Sequence, residues 1–178
     1  MENTRRVPFF IPVAAIVIVA LMFVYATFFD HSFPEKAVKG FYQAYFAQDY
    51  QGAAENLSAS LAAKLIPEFA ATEEQAADRE AITAALADVL SSAAADAPSA
   101  EGMKVTILKH GVVKGKTTAM VAFTIADGSD EAEATTAVAL LVKEGSSYKL
   151  VDAGPINPEY ADQIASADLS MWDEYFGN

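Results

Sequence analysis

Residues 104–152 read KVTILKHGVVKGKTTAMVAFTIADGSDEAEATTAVALLVKEGSSYKLVD, and the breaks inside this stretch decide the fold. Lys114-Gly115-Lys116, Asp127-Gly128-Ser129-Asp130 and Glu144-Gly145-Ser146-Ser147 are polar, glycine-bearing interruptions between β-prone runs. Within the second run Ala119, Val121, Phe123 and Ile125 alternate with Thr118, Met120, Ala122 and Thr124. Alternation with period two is the signature of a strand. Glu131 to Lys143 places Ala132, Ala134, Thr136, Val138, Leu140 and Val142 on one face, and Tyr148, Leu150 and Asp152 alternate with Lys149 and Val151. With Lys104–Val113 as the first strand, the spacing predicts a meander of four antiparallel strands. One apolar and one mixed face are expected, as in a sheet covered by helices on one side.

N-terminal to this stretch the period changes. Val38, Phe41, Tyr42, Tyr45 and Phe46 follow one another at i, i+3, i+4, i+7 and i+8, an apolar stripe on a helix. Ser32 and Glu35 have capping-box spacing, with Pro34 in the first turn. Asp49 marks a turn, a short helix follows over Tyr50 to Glu55, and Leu57, Leu61, Leu65 and Ile66 mark a third that closes near Pro67. Thr72 and Gln75 open a further capping-box pattern. Ile82, Leu86, Val89 and Leu90 carry that helix toward Ala97, where Pro98 stops it. On the C-terminal side, Asn157-Pro158 reads as an N-cap with proline at the first helical position. Tyr160, Ile164, Ala167 and Met171 then predict one helical tail, closed by Trp172, Tyr175 and Phe176. Packing of this acidic, aromatic tail on its own chain is preferred over packing on another protein.

Pro8 to Phe29 contains no charged residue. A helix of this length spans about 33 Å, enough for a hydrocarbon core of about 30 Å. Arg5 and Arg6 precede the run, and Asp30 and Glu35 follow it, so the positive-inside rule places the N-terminus in the cytoplasm. The expected organisation is a cytoplasmic stub at 1–7, a transmembrane anchor at 8–29, an α+β domain at 31–153 and a tail at 154–178. The expected location is therefore the cell membrane, single-pass, with the domain outside the cytoplasm. The competing expectation is secretion after signal cleavage near Ala26.

Composition narrows the function. The 178 residues are 53% hydrophobic, which is enough for a core, and carry 24 acids against 12 bases, a net charge of -12. Such a chain repels nucleic acid, whose binding needs clustered Lys and Arg. With no cysteine, disulfides, thiolate metal sites and cysteine nucleophiles are excluded; with two histidines, so is a histidine-rich metal site. The charge is zoned: 154–178 holds five acids and no base.

The series Pro34-Glu35, Val38, Phe41-Tyr42, Tyr45, Asp49-Tyr50 and Ala53, together with Gly145 and Tyr148-Lys149-Leu150-Val151, resembles the nuclear-transport-factor-2-like (cystatin-like) superfamily. Within it the series is most similar to an exported bacterial group labelled lumazine-binding-like, of unknown function. The resemblance covers residues 34–153. It implies a cystatin-like roll, with helices packed on a curved four-stranded antiparallel sheet, and it implies dimerisation through the open sheet face. Such folds host enzymes, binding proteins and spacers alike.

Candidate chemistry is sparse. His31 and His110 have no partner at ligand spacing, and Asp127, Asp130, Glu131 and Glu133 lack the closing glutamate of a calcium loop. No nucleophile elbow or phosphate loop occurs. No catalytic, cofactor-binding or metal-ligating residue is therefore expected, and no cofactor. Asn56-Leu57-Ser58 fits a glycosylation sequon but reads better as a capping pair. Phe41, Tyr42, Tyr45 and Phe123 are the candidate lining of a cone-shaped pocket, with core packing as the default for a stripe at this spacing. The function expected is a membrane-tethered, non-catalytic binding or protein-interaction domain whose partner is a protein or a second copy. The alternatives are a small-molecule-binding or isomerase-like enzyme using the cone, and a structural accessory of a cell-envelope complex.

Overall fold

The computed structural model describes residues 33–66, 78–95, 100, 102–128 and 134–177. Helix α1 (Pro34–Phe46) starts with proline at its first position, where the missing N–H leaves no bond unmade. Its N-cap is Phe33, in extended conformation and without a side-chain cap bond; Ser32 of the expected capping box lies outside the described residues. After α1 the chain turns through Gln48, a non-glycine residue at φ 61. Asp49 then caps α2 (Tyr50–Glu55), its carboxylate accepting from the Gly52 N–H at 2.9 Å. Ser58 caps α3 (Ala59–Leu65), accepting from Ser60 N–H at 3.1 Å. Helix α4 (Arg79–Ala95) buries Ile82, Thr83 and Leu86 on one side.

Four strands follow: β1 (Met103–Lys114), β2 (Thr118–Asp127), β3 (Thr135–Glu144) and β4 (Ser147–Pro155). They form one antiparallel sheet in the order β1-β2-β3-β4. Phe123 pairs with Ile107 on one side and Ala137 on the other. The register shifts between Ile107 and Val112. Gly111 sits inside that irregularity, and a Cβ there would stand 2.8 Å from the Ala122 Cβ. On the outer edge of β4, Leu57 bridges Leu150: Ser58 N–H donates to Leu150 C=O at 2.7 Å and Leu150 N–H to Asn56 C=O at 2.8 Å. That short pairing occupies part of an edge that would otherwise offer free backbone groups.

Helices α1 to α4 cover one face of the sheet. There Ala119, Val121, Phe123, Ala137, Ala139, Leu141, Tyr148 and Leu150 meet Val38, Ala54, Leu57, Ala62, Ile82 and Leu86. Alanines at 37, 53, 54 and 62 are buried, and their small side chains let the helices approach closely. The opposite face is covered as well, contrary to the one-sided sheet expected. A 3₁₀ helix (Pro158–Ser166) lies mainly on β1 and reaches β2 and β3, and α5 (Ser170–Phe176) touches β2. Ala161 and Leu169 are buried beneath this strap, and Thr118, Ala122, Thr136, Leu140 and Val142 are buried on the strand side. Expected as one helix, the tail is two pieces, because Ala167 is extended and ends the first.

The domain is therefore an α+β fold of three layers: helices, a four-stranded antiparallel sheet, and a strap. The expected cystatin-like roll is corrected. The sheet is an open meander whose outer strands β1 and β4 do not pair, and it does not close into a curved cone. An open sheet with apolar residues on both faces needs a cover on each, and the strap supplies the second. The expected membrane tether is corrected too. No helix among the described residues is long and apolar enough to cross a membrane. The segment 8–29, on which the single-pass location, the membrane partner and the cleavage near Ala26 all rested, lies outside the described residues.

Phe123 is the largest fully buried side chain among the described residues, so Phe123→Ala lowers the unfolding free energy by about 3–5 kcal/mol, read as a shifted urea midpoint. Met171→Ala, at a side chain 68% exposed, shifts it by less than about 0.5 kcal/mol.

Candidate functional site

The expected pocket residues do come together. Phe41, Tyr42 and Tyr45 project from α1, and Phe123 rises from β2 to meet them. The Tyr42 and Phe123 ring centroids are 5.1 Å apart, Phe41 and Tyr42 meet edge-on at 5.0 Å, and Phe41 stacks on Tyr45 at 6.0 Å. Phe46 and Tyr50 extend the row, 5.7 Å from Tyr42 and 5.9 Å from Tyr45. These are the spacings of packed aromatic side chains. Burial raises the Tyr42 phenol to about 12, so it stays protonated throughout the physiological range.

A polar cluster missed in the sequence joins five elements around Glu144, the last residue of β3. One oxygen accepts from Ser58 Oγ at 2.6 Å and from Ala59 N–H at 2.9 Å, so this carboxylate caps α3 from a distance in sequence. The other oxygen pairs with the Arg79 guanidinium at 3.1 Å. Arg79 also donates to the carbonyls of Leu57 at 2.6 Å and Glu55 at 3.3 Å, so its fork ties the start of α4 to the connection before α3. Lys149 Nζ donates to Glu55 C=O. Burial and the Arg79 charge lower the Lys149 pKa, against the pull of Glu144 and Glu55. A serine, a lysine and a carboxylate thus lie in one cluster. The serine is fully buried and its hydroxyl is engaged, so it is not presented to a substrate.

A second site lies at the β1–β2 turn. Asp173 of α5 reaches into it and accepts from the backbone N–H of Lys116, Thr117 and Thr118 at 2.7, 2.9 and 2.8 Å. The Thr117 and Thr118 hydroxyls donate to the same carboxylate at 3.1 and 2.7 Å. Successive backbone N–H groups converging on one oxyanion form a nest. Burial works to raise this carboxyl, but the Lys116, Thr117 and Thr118 donors outweigh it and hold Asp173 far below the ordinary carboxylate range. Gly115 leaves the carboxylate its room, since a Cβ there would collide with Asp173 Oδ2. Tyr148 lies near: burial, then the charges of Asp173 and Glu35, raise its phenol.

Among the described residues, shallow hollows lie away from the aromatic row. One of about 280 Å³ is lined by Lys104, Thr106, Thr124 and Ala126. A second of about 260 Å³ lies between Trp172 and the outer sheet face at Met120, Val138 and Leu140. A third, of about 410 Å³, follows the seam between the β1–β2 turn and residues 167–173. His110 is exposed on β1, and His31 lies outside the described residues. Among the described residues no group of three His, Asp or Glu side chains could hold a metal ion. Of the acidic turn, Asp127 is exposed, and 130, 131 and 133 lie outside the described residues.

No protein family matches the chain. No curated protein matches it either. Among solved structures, a SEC-C motif containing protein from Rhodopseudomonas palustris is similar with a TM-score of 0.44 at 13% identity. The match covers 74% of this chain and 85% of that one. The nuclear-transport-factor-2-like assignment is accordingly withdrawn: the open sheet lacks the expected curvature and no family supports it. The membrane-tethered binding domain and its cone-pocket and envelope alternatives are withdrawn with it, since they rested on that roll and on the tether.

Asp173 carries a depressed pKa, so its stabilisation is present above the ordinary value of 3.8 and is lost as pH falls below it. Asp173→Asn therefore costs about 1–2 kcal/mol at pH 7, with the half-exposed setting allowed for. In urea melts the gap between variant and parent narrows as pH drops from 4 toward 2.

Proposed function

We propose that the described domain is non-catalytic. The observation that supports this reading is where its polar side chains are spent. Asp49 caps α2, Ser58 and Glu144 cap α3, and Asp78 accepts from the N–H groups of Glu80 and Ala81 at the start of α4. Arg79 clamps backbone carbonyls, and Asp173 fills a turn. A general acid, base or nucleophile needs an unengaged face toward a cavity that can hold a reacting group. These groups point instead at the backbone of their own chain. Each is worth stability, and together they hold three layers in register.

The test is a set of substitutions in the groups best equipped for chemistry. Glu144→Gln and Arg79→Lys are expected to lower the melting temperature. With the purified full chain, turnover across a panel of ester, phosphoester, glycoside and ketosteroid substrates is expected to stay at the buffer rate. Turnover by the parent that Glu144→Gln or Arg79→Lys abolishes, with the fold retained by circular dichroism, would overturn the reading.

A further inference from the structure

We propose that residues 158–176 are a removable strap held by a single carboxylate, and that the Lys116–Thr118 nest with the adjoining sheet face is a docking site for the same strap from a second copy of this chain. Three observations carry this. On the strap's own side the attachment is thin: only Ala161 and Leu169 of its described residues are buried, and the sheet beneath offers mostly small or polar side chains, Thr118, Ala122 and Thr136 among them. Nine of its residues form a 3₁₀ helix, whose hydrogen bonds are weaker than those of an α-helix. Against this, five donors converge on Asp173, so one residue dominates the grip.

The seat and its occupant are also complementary. From Gly154 onward the chain has five acids and no base, whereas the turn carries Lys114 and Lys116 beside its N–H groups. Trp172 stands next to Asp173 and walls the hollow over Met120, Val138 and Leu140. The adjacent pair thus supplies an oxyanion for the nest and an indole that walls an apolar stretch of the sheet, a two-point attachment. Every copy carries both the seat and the strap, so a strap that leaves its own seat finds an identical one on a neighbour. The connection is short: β4 runs to Pro155, Ile156 N–H still donates to Thr136 C=O at 2.9 Å, and only Ile156 and Asn157 link β4 to the strap, a length that favours exchange between copies. Met171 and Tyr175, four residues apart on α5 and 68% and 67% exposed, lie on the strap and add apolar surface to an exchanged pair.

The probe is a fluorescein-labelled peptide of residues 158–178, titrated into the full chain carrying Asp173→Ala, whose own strap is unlatched. Saturable binding is expected, at least tenfold weaker for a peptide that itself carries Asp173→Ala. Binding to the parent chain is expected to be weaker, because its seat is filled from within at an effective concentration in the millimolar range. Absence of binding to the folded variant, or binding indifferent to the peptide's Asp173, overturns the proposal. Should Asp173→Ala not fold, hydrogen exchange of the parent decides. Amides of 158–176 exchanging at least tenfold faster than those of Val121 and Leu141 support release of the strap; equal protection shows that it opens only with the whole domain and overturns the proposal.

Discussion

The central strands of this domain are apolar on both faces, and everything else answers to that constraint. β2 has Val121 and Phe123 on one side and Thr118 and Ala122 on the other, all buried. β3 has Ala139 and Leu141 against Leu140 and Val142 in the same way. A four-stranded sheet with two such faces loses stability when either is left in water, because each large aliphatic side chain buried there contributes about 1.5–3 kcal/mol. Among the described residues, helices α1 to α4 close one side. The other side is closed by the last twenty or so residues, a 3₁₀ helix and the short α5, which depend on the sheet for their place. Asp173 connects this second cover to the β1–β2 turn and so links the end of the chain to its middle.

Much of this was legible in the residues. The breaks at Lys114-Gly115, Asp127-Gly128 and Glu144-Gly145 mark hairpins, and the strands pair in sequence order because short turns leave no other partner in reach. Asp49 as the start of the short second helix, and Ala53 and Ala54 as its buried side, follow from capping chemistry and spacing. These are local signals, and local signals survive without tertiary context. The one-sided reading of the sheet fails at β3, where Thr136, Val138, Leu140 and Val142 read as the apolar face while Ala137, Ala139 and Leu141 form the face against the helices. Thr118 is buried since its hydroxyl has Asp173 to bond. The tail was misjudged for a related reason: Tyr160, Ile164, Ala167 and Met171 have helical spacing, but the chain between them follows the surface it covers. The resemblance to a curved roll rested on an aromatic stripe that serves equally well for packing a helix on an open sheet.

The two polar clusters could not have been found along the chain. Asp173 lies 55 residues from Thr118, and Arg79 lies 65 from Glu144. In neither case does the surrounding sequence carry a motif, because what selects the residue is the shape of a distant turn or helix end. The same fact bears on function. Groups that would be read as catalytic candidates in isolation, a serine beside a carboxylate and a lysine with a lowered pKa, serve as caps and clamps once their partners are known. The aromatic side chains form one packed row, in which Phe41 meets Tyr42 and Tyr45, and Tyr42 meets Phe123 where the helix crosses β2.

The three-layer architecture requires the C-terminal segment to sit on the outer sheet face with Asp173 in the β1–β2 turn. Nuclear Overhauser contacts in the full chain test this most directly. Cross-peaks are predicted from the Asp173 β-protons to the amide protons of Thr117 and Thr118, with the Leu169 methyl groups shifted from their free-peptide positions. Absence of those cross-peaks, with random-coil shifts across residues 158–176, would contradict the three-layer architecture.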